Sequence, residues 1–305
     1  VILNIINKYF PKETLEDVEE LVDGCFNTIY KLSFYSQKEI VIKFSPKKNI
    51  EVLSYEKDLM LNEFHIMLLA EKAGIPVPKV FAFDDSLNLC NCDYIIMQYM
   101  HGQTLNAMID TVSKSELKLI LKTLENIRDT INNLDNGFFG YLHNKNFQSE
   151  SWQVVFRKLL LAVCDDAMRK NVTLPFSKDE LLFIFNKSSG CFDDGIVPRL
   201  VHGDLRGSNI IIENGNIIGI LDWERAFFGD PLMDLIPLLH DDKKIYNQVR
   251  SSLKLTRNEQ QRLIWYEIYT LLLLYLEYWY RGYCVSSEMD TIIQWVTSEI
   301  EMRLA

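Results

Sequence analysis

Residues 201–235 read VHGDLRGSNIIIENGNIIGILDWERAFFGDPLMDL, and no other stretch limits the fold as tightly. Two apolar runs, IIIE and IIGIL, are joined by Asn214-Gly215, a dipeptide suited to the tight turn of a β-hairpin. Polar groups collect at the hairpin's ends: Asp204 and Asn209 before the first strand, Asp222 after the second. A two-strand return of this length brings Asn209 and Asp222 to the same end. Two oxygen ligands converging at a loop edge suit Mg²⁺, which takes few protein oxygens and completes its shell with phosphate and water. Asp204, slightly upstream, then stands beside the metal without being obliged to bind it. That is the place of a base, or orienting group, for an attacking hydroxyl. The Ile and Leu runs are expected to anchor the hairpin in the larger of the chain's two lobes so that these groups stay put.

The rest of the chain divides in character near residue 100. Residues 14–48 read as three short strands, with turns at Asp23-Gly24 and at Ser36-Gln37-Lys38. From Ile50 to Ala73 the period becomes helical, with Leu59, Phe64, Met67 and Leu68 in step and Gly74 as the stop. IPVPKVFAFDD enters a fourth strand, and CDYIIMQYM, apolar throughout, reads as a fifth and central one. Beyond His101-Gly102, residues 104–134, 150–170, 177–188 and 257–303 read as helices around the hairpin at 200–222. The expectation is an α+β chain of two lobes. Residues 1–100 form a small N-terminal antiparallel sheet lobe with one long helix, and 101–305 a larger, mainly helical C-terminal lobe.

Composition sets outer bounds. The chain has 305 residues, 48% of them apolar, and a formal charge of −10, which argues against nucleic acid as a main partner and is compatible with a cationic small molecule. Its six cysteines are scattered; Cys90 and Cys92 alone lie close together, and a C-x-C pair by itself makes neither a zinc site nor a disulfide framework. VILNIINKYF is interrupted by Asn4, Asn7 and Lys8 and does not read as a secretory signal. IYTLLLLYLEYWY at 268–280 falls short of the ~20 apolar residues a membrane span needs. A cytoplasmic protein without a membrane partner is expected, and a monomer is compatible with the sequence.

His-x-Asp-x-x-x-x-Asn followed by a hairpin and a metal-binding Asp resembles the signature of the protein-kinase-like fold. The form found here, HGDLRGSN…ILDWE…GDPLMDL, resembles the aminoglycoside phosphotransferase family and related small-molecule kinases. The resemblance implies a bilobal protein-kinase-like fold, with Asp204 catalytic and Asn209 and Asp222 holding Mg²⁺. By the same resemblance Asp234 braces the catalytic loop and His202 is structural. An enzyme of this kind also needs a Lys on the phosphates and an acid to hold it. EIVIKF supplies Lys43; Glu63 on the following helix is its expected partner, with Glu56, two turns earlier, left as the alternative. DGCFNTIY stands where the nucleotide loop belongs, with Gly24 and Asn27 at the matching positions. YIIMQYMHGQTL resembles the hinge, where the backbone of Gln98, Tyr99 and Met100 would meet the adenine edge of ATP or GTP.

About a dozen residues separate Asp222 from Asp234, too few for the long activation segment of protein kinases. A small hydroxylated acceptor is therefore favoured. Candidate carboxylates for an amine-rich acceptor are Glu224, Asp241, Asp242, Glu267 and Glu277, with Trp223, Trp265, Tyr266, Trp279 and Tyr280 as candidate walls. The leading expectation is an antibiotic kinase of aminoglycoside type, the class associated with antibiotic resistance. Kinases for choline, sugars or homoserine come next, and then a nucleotide-binding pseudokinase.

Overall fold

The computed structural model describes residues 1–21, 26–239, 241–282 and, beyond these, Gln294, Ser298 and Met302. In chain order the elements begin α1 (Ile2–Tyr9), β1 (Leu15–Leu21), β2 (Thr28–Phe34), β3 (Glu39–Phe44), α2 (Leu59–Lys72), β4 (Val80–Asp84) and β5 (Tyr94–Gln98). There follow β6 (Gln103–Thr104), α3 (Leu105–Met108), α4 (Lys114–Ile131), α5 (Trp152–Arg169), α6 (Lys178–Ser188), β7 (Arg199–Val201), β8 (Ile210–Glu213) and β9 (Asn216–Ile220). The last are β10 (Phe227–Gly229), α7 (Leu235–Leu239), α8 (Lys243–Ser252) and α9 (Arg257–Arg281). The chain separates into two compact units, one of residues 1–50, 58–127 and 206–225, the other of 51–57, 128–205 and 226–305. It passes from the second unit to the first at Leu205-Arg206, inside HGDLRGSN.

The first unit is built on an antiparallel sheet of order β1-β2-β3-β5-β4. Its strands follow the period of two. Ile40, Ile42 and Phe44 point to one face of β3, where they bury themselves with Leu32, Phe34, Tyr94 and Ile96 under Ile5 and Ile6 of α1. Lys43, one residue out of step, points to the opposite face. There α2 packs against β4 and β5. β5 is an interior strand, as its unbroken apolar run predicts. A second small sheet, β6-β8-β9, holds the hairpin; Asn214 (φ 49) and Gly215 (φ 76) adopt the left-handed pair that an Asn-Gly turn supplies.

The second unit is helical around an aromatic core in which Trp152 and Phe156 of α5 meet Phe185, Phe192 and Tyr266. β7 and β10 add a short antiparallel ladder. α9 starts in a Thr256/Glu259 capping box and ends at Gly282 in the left-handed conformation.

Two expectations need correction, and two elements go beyond the sequence reading. The helix expected from Ile50 begins only at Leu59, because Asp58 (φ 60) turns the chain left-handed; residues Ser54–Glu56 form a separate 3₁₀ turn. The helix expected over 104–134 is split by an irregular stretch, into α3 and α4. α1 and α8 were not anticipated as elements. Of the helix expected at 257–303, the part to Arg281 is α9 and most of the remainder lies outside the described residues.

Candidate active site

In the first unit, Lys43 is buried, 3% exposed, and its ammonium is surrounded by carboxylates. Both Glu63 oxygens lie 2.9 Å from Nζ, Asp222 Oδ1 2.7 Å and Glu224 Oε2 3.2 Å. Burial works against the charged lysine, yet Asp222, Glu224 and Glu63 outweigh it and hold its pKa well above the ordinary value. Glu56, the alternative partner, is instead ion-paired with Arg281 in the second unit. Glu224 has the weakest share of the ammonium. Burial, reinforced by its acidic neighbours and only partly offset by Lys43, pushes its carboxyl up to about 7.

Asn209 and Asp222 sit at one end of the hairpin, joined by the Leu221 N–H donating to the Asn209 carbonyl at 2.8 Å. Asp222 takes a left-handed backbone (φ 65), and its side chain keeps 35% of its surface. An amide oxygen and a half-exposed carboxylate are hard donors of the kind Mg²⁺ prefers, so the residues present fit that ion. Glu63, Asp222 and Glu224 also lie within metal-ligating reach of one another. The centre of that triad is taken by the Lys43 ammonium.

In the second unit, the start of HGDLRGSN is pinned from below. Asp234 is fully buried, accepts the Gly203 N–H at 3.0 Å and the Asn132 Nδ2–H at 3.2 Å, and Asn132 also donates to the Leu200 carbonyl at 2.8 Å. Burial raises the Asp234 carboxyl above its usual value, against the pull of the Gly203 N–H. His202 is fully buried, and its Nδ1 accepts the Asp204 backbone N–H at 3.2 Å. A ring nitrogen occupied in that way braces the loop and is not available as a base. Asp204 itself is half-buried.

Of the nucleotide-facing residues expected from sequence, Gly24 lies outside the described residues. Asn27 is buried, and its Nδ2 donates to Glu224. In the segment expected to be the hinge, the Gln98 N–H is already donated to the Lys79 carbonyl at 2.9 Å, which removes it as a donor to a base. The Tyr99 ring stacks under Lys31 Nζ, 4.3 Å from its centroid, so of this residue only the backbone suits the expected role. Met100 lies against β9, where a Cβ on Gly219 would come within 2.9 Å of its Cε. Gly102 (φ 148) passes close over β8; a Cβ there would stand 2.6 Å from the Ile212 carbonyl oxygen.

The acceptor candidates fare differently from expectation. Glu224 belongs to the Lys43 cluster. Asp242 accepts the Lys244 N–H at 2.7 Å at the start of α8, and Asp241 accepts the Asp242 N–H at 2.9 Å. Glu277 accepts the Tyr55 hydroxyl at 3.1 Å, and Glu267 is half-buried on α9. Trp223, Trp265, Tyr266 and Tyr280 are core residues, whereas Trp279 is 43% exposed.

One network escaped the sequence reading. Asp230 of GDPLMDL accepts Arg262 Nε–H and the Tyr266 hydroxyl, each at 2.7 Å, and Trp152 Nε1–H donates to Tyr266 at 2.7 Å. Arg262 and Tyr266 stand four apart on α9 and so share a face, but nothing local marks Asp230 as their partner.

Comparison with known proteins adds family context. The model of the phosphotransferase enzyme family (APH) matches residues 17–257. Hygromycin-B 4-O-kinase of Escherichia coli is 25% identical over 168 residues, 52% of this chain and 46% of that protein. The probable acyl-CoA dehydrogenase IBR3 of Arabidopsis thaliana is 23% identical over 208 residues, 66% of this chain but 24% of that protein. The chain thus spans from about a quarter to under half of these relatives' lengths. Among solved structures, a thermostable mutant of aminoglycoside phosphotransferase APH(4)-Ia in ternary complex with ADP and hygromycin B has a TM-score of 0.70 at 18% identity, covering 100% of this chain and 97% of that one. The GDP and kanamycin complex of APH(2")-IIia has a TM-score of 0.63 at 17% identity, covering 99% and 97%. The α+β, protein-kinase-like fold follows from these likenesses. Among the described residues, no helix is long and apolar enough to cross a membrane.

Proposed function

The chain belongs to the phosphotransferase enzyme family, and we propose that it moves the γ-phosphate of ATP or GTP to a hydroxyl of a small molecule, with an aminoglycoside-type antibiotic as the leading acceptor. The observation that carries this reading is the Lys43 cluster: a buried ammonium held by Glu63 and Asp222, on the unit that also presents Asn209. Phosphoryl transfer needs little covalent chemistry from a protein and much charge placement. Lys43, preorganised by Glu63, would turn to the nucleotide's phosphates. Asn209 and Asp222 would hold Mg²⁺, which when bound supplies neutralising charge at phosphate oxygens. Asp204, kept in place by the His202 and Asp234 contacts, would accept or orient the acceptor's hydroxyl proton. Tyr99 and Met100 would offer their backbone to the base.

Hygromycin B and kanamycin in the structural relatives support the antibiotic assignment, and the ADP and GDP bound there, the products of ATP and GTP, keep both triphosphates as candidate donors. One observation favours a second reading, a metabolic acceptor with fewer amines. Glu224, Asp241 and Asp242, three of the carboxylates expected to meet ammonium groups, are engaged with protein partners. A coupled nucleotide-consumption screen across aminoglycosides, amino-alcohols and sugars, with ATP and with GTP, separates the two. Turnover only with amino-alcohols or sugars selects the second. Nucleotide binding without turnover on any acceptor rejects both.

A further inference from the structure

We propose that Glu224 is a positioning residue of the nucleotide site, tying Asn27, just before β2, to the Lys43 ammonium. The inference rests on the nucleotide-binding reading above and gives Glu224 a role other than acceptor recognition.

The backbone of Glu224 is fixed before its side chain is considered. It follows Asp222 in a 3₁₀ turn, Trp223–Arg225, in which Trp223 is fully buried with Nε1–H donating to the Ile220 carbonyl at 2.9 Å. The Glu224 carbonyl accepts Asn62 Nδ2–H of α2 at 3.4 Å. From this turn the carboxylate reaches Asn27 and Lys43 with a single oxygen, Oε2.

Lys43 does not need that oxygen. An ammonium has three N–H donors, and Glu63 and Asp222 already present three oxygens at 2.7–2.9 Å. A third carboxylate around one ammonium adds repulsion, so its presence calls for another reason. Asn27 provides one: it is 9% exposed, and its Oδ1 is buried with no hydrogen-bond partner among the described residues. Its bond to Glu224 therefore fastens the loop end at residue 27 to the turn behind the proposed metal-binding Asp222. The two residues are 197 apart in the chain. An Asn27 side chain held in advance need not be fixed when nucleotide arrives, and that preorganisation appears as affinity.

The test is nucleotide binding by titration calorimetry, with a non-hydrolysable ATP analogue and Mg²⁺, which needs no acceptor. The proteins are wild type, Glu224→Gln, Glu224→Ala, Asn27→Ala and the Asn27→Ala/Glu224→Ala double variant. Glu224→Ala and Asn27→Ala should each raise Kd about tenfold, the size of one charge-assisted hydrogen bond, and the double variant should be no weaker than Glu224→Ala. Glu224→Gln, which keeps an oxygen for Asn27, should lose less. In turnover, the nucleotide KM should rise and the acceptor KM stay constant. A merely structural role would lower Tm and leave the Kd of the folded fraction unchanged. Wild-type Kd in Glu224→Ala, losses that multiply in the double variant, or a rise in acceptor KM alone overturns the proposal. If Glu224→Ala does not fold, wild-type Kd in both Glu224→Gln and Asn27→Ala does the same. Wild type that binds no nucleotide instead overturns the underlying reading.

Discussion

Asp230→Asn removes a charge from the second unit's buried network, and the size of the effect can be worked from its partners. Arg262 and Asp230 side chains are each 5% exposed, so the pair is not screened by solvent. Arg262 Nε–H and the Tyr266 hydroxyl both donate to Asp230 Oδ2, and the Leu232 N–H donates to Oδ1. Asn in place of Asp can therefore keep the shared oxygen only by turning its N–H₂ toward the Leu232 N–H, and in either orientation the charge facing Arg262 is lost. Arg262 retains the Cys191 carbonyl at 2.8 Å and Asp194 at 3.1 Å, but Asp194 is 39% exposed and a weaker counter-charge. Breaking a buried pair from one side costs about 3–5 kcal/mol, which for a unit of this size corresponds to a fall in Tm of about 6–20 °C. Urea unfolding of the wild type, Asp230→Asn, Arg262→Met and the double variant measures it. The double variant should fall short of the sum of the singles by at least about 1 kcal/mol, because each single strands the other's partner. A loss below about 1 kcal/mol for Asp230→Asn, the range of an exposed ion pair, or strict additivity would refute the reasoning.

Lys43→Met should lower kcat/KM about 10²–10³-fold, the usual loss on deleting one preorganised charge at a reacting group, without changing the acceptor KM in steady-state assays. For Asp84, burial is overcome by hydrogen bonds from Lys8, Ser86 and Tyr94, which hold its carboxyl well below the ordinary value. A depressed folded pKa contributes stability above the unfolded pKa of about 3.9, lost as pH falls toward the folded value. Asp84→Asn should therefore be less stable than wild type in urea at pH 7, and the gap should narrow steadily below about pH 4; a gap constant with pH would contradict this. Burial pushes the Cys164 and Cys191 thiols up to about 11, leaving on the order of one thiolate in a thousand at pH 8. Iodoacetamide followed by peptide mass spectrometry should label them only after unfolding.

Much of the fold was legible because its signals are local. The Asn-Gly turn and its flanking apolar runs specify the hairpin, and the alternation in EIVIKF sets Lys43 on the face opposite Ile42 and Phe44. What was missed lacked such a signal or was read with the wrong one. Ile2, Ile5, Ile6 and Tyr9 have helical spacing, but that segment was weighed only as a leader. Glu56 and Glu63 compete for Lys43 only if one helix carries both, and the left-handed turn at Asp58 breaks that assumption. Glu224 reads from sequence as one of several acceptor carboxylates after the catalytic loop, whereas the turn it occupies buries it toward Lys43. Its bond to Asn27, like that of Asp230 to Arg262, joins distant residues and could not be read from spacing.

The central claim is transfer of phosphate to a small hydroxyl compound with Asp204 as the group that handles its proton. The most direct measurement is mass spectrometry of acceptor and nucleotide from one reaction mixture, comparing wild type with Asp204→Ala. The account predicts one phosphate gained by the acceptor for each nucleoside diphosphate formed, at a rate that Asp204→Ala lowers about 10²–10⁴-fold while nucleotide Kd stays within twofold or so. Nucleotide consumption with no phosphorylated acceptor, or an Asp204→Ala variant as fast as wild type, would contradict it.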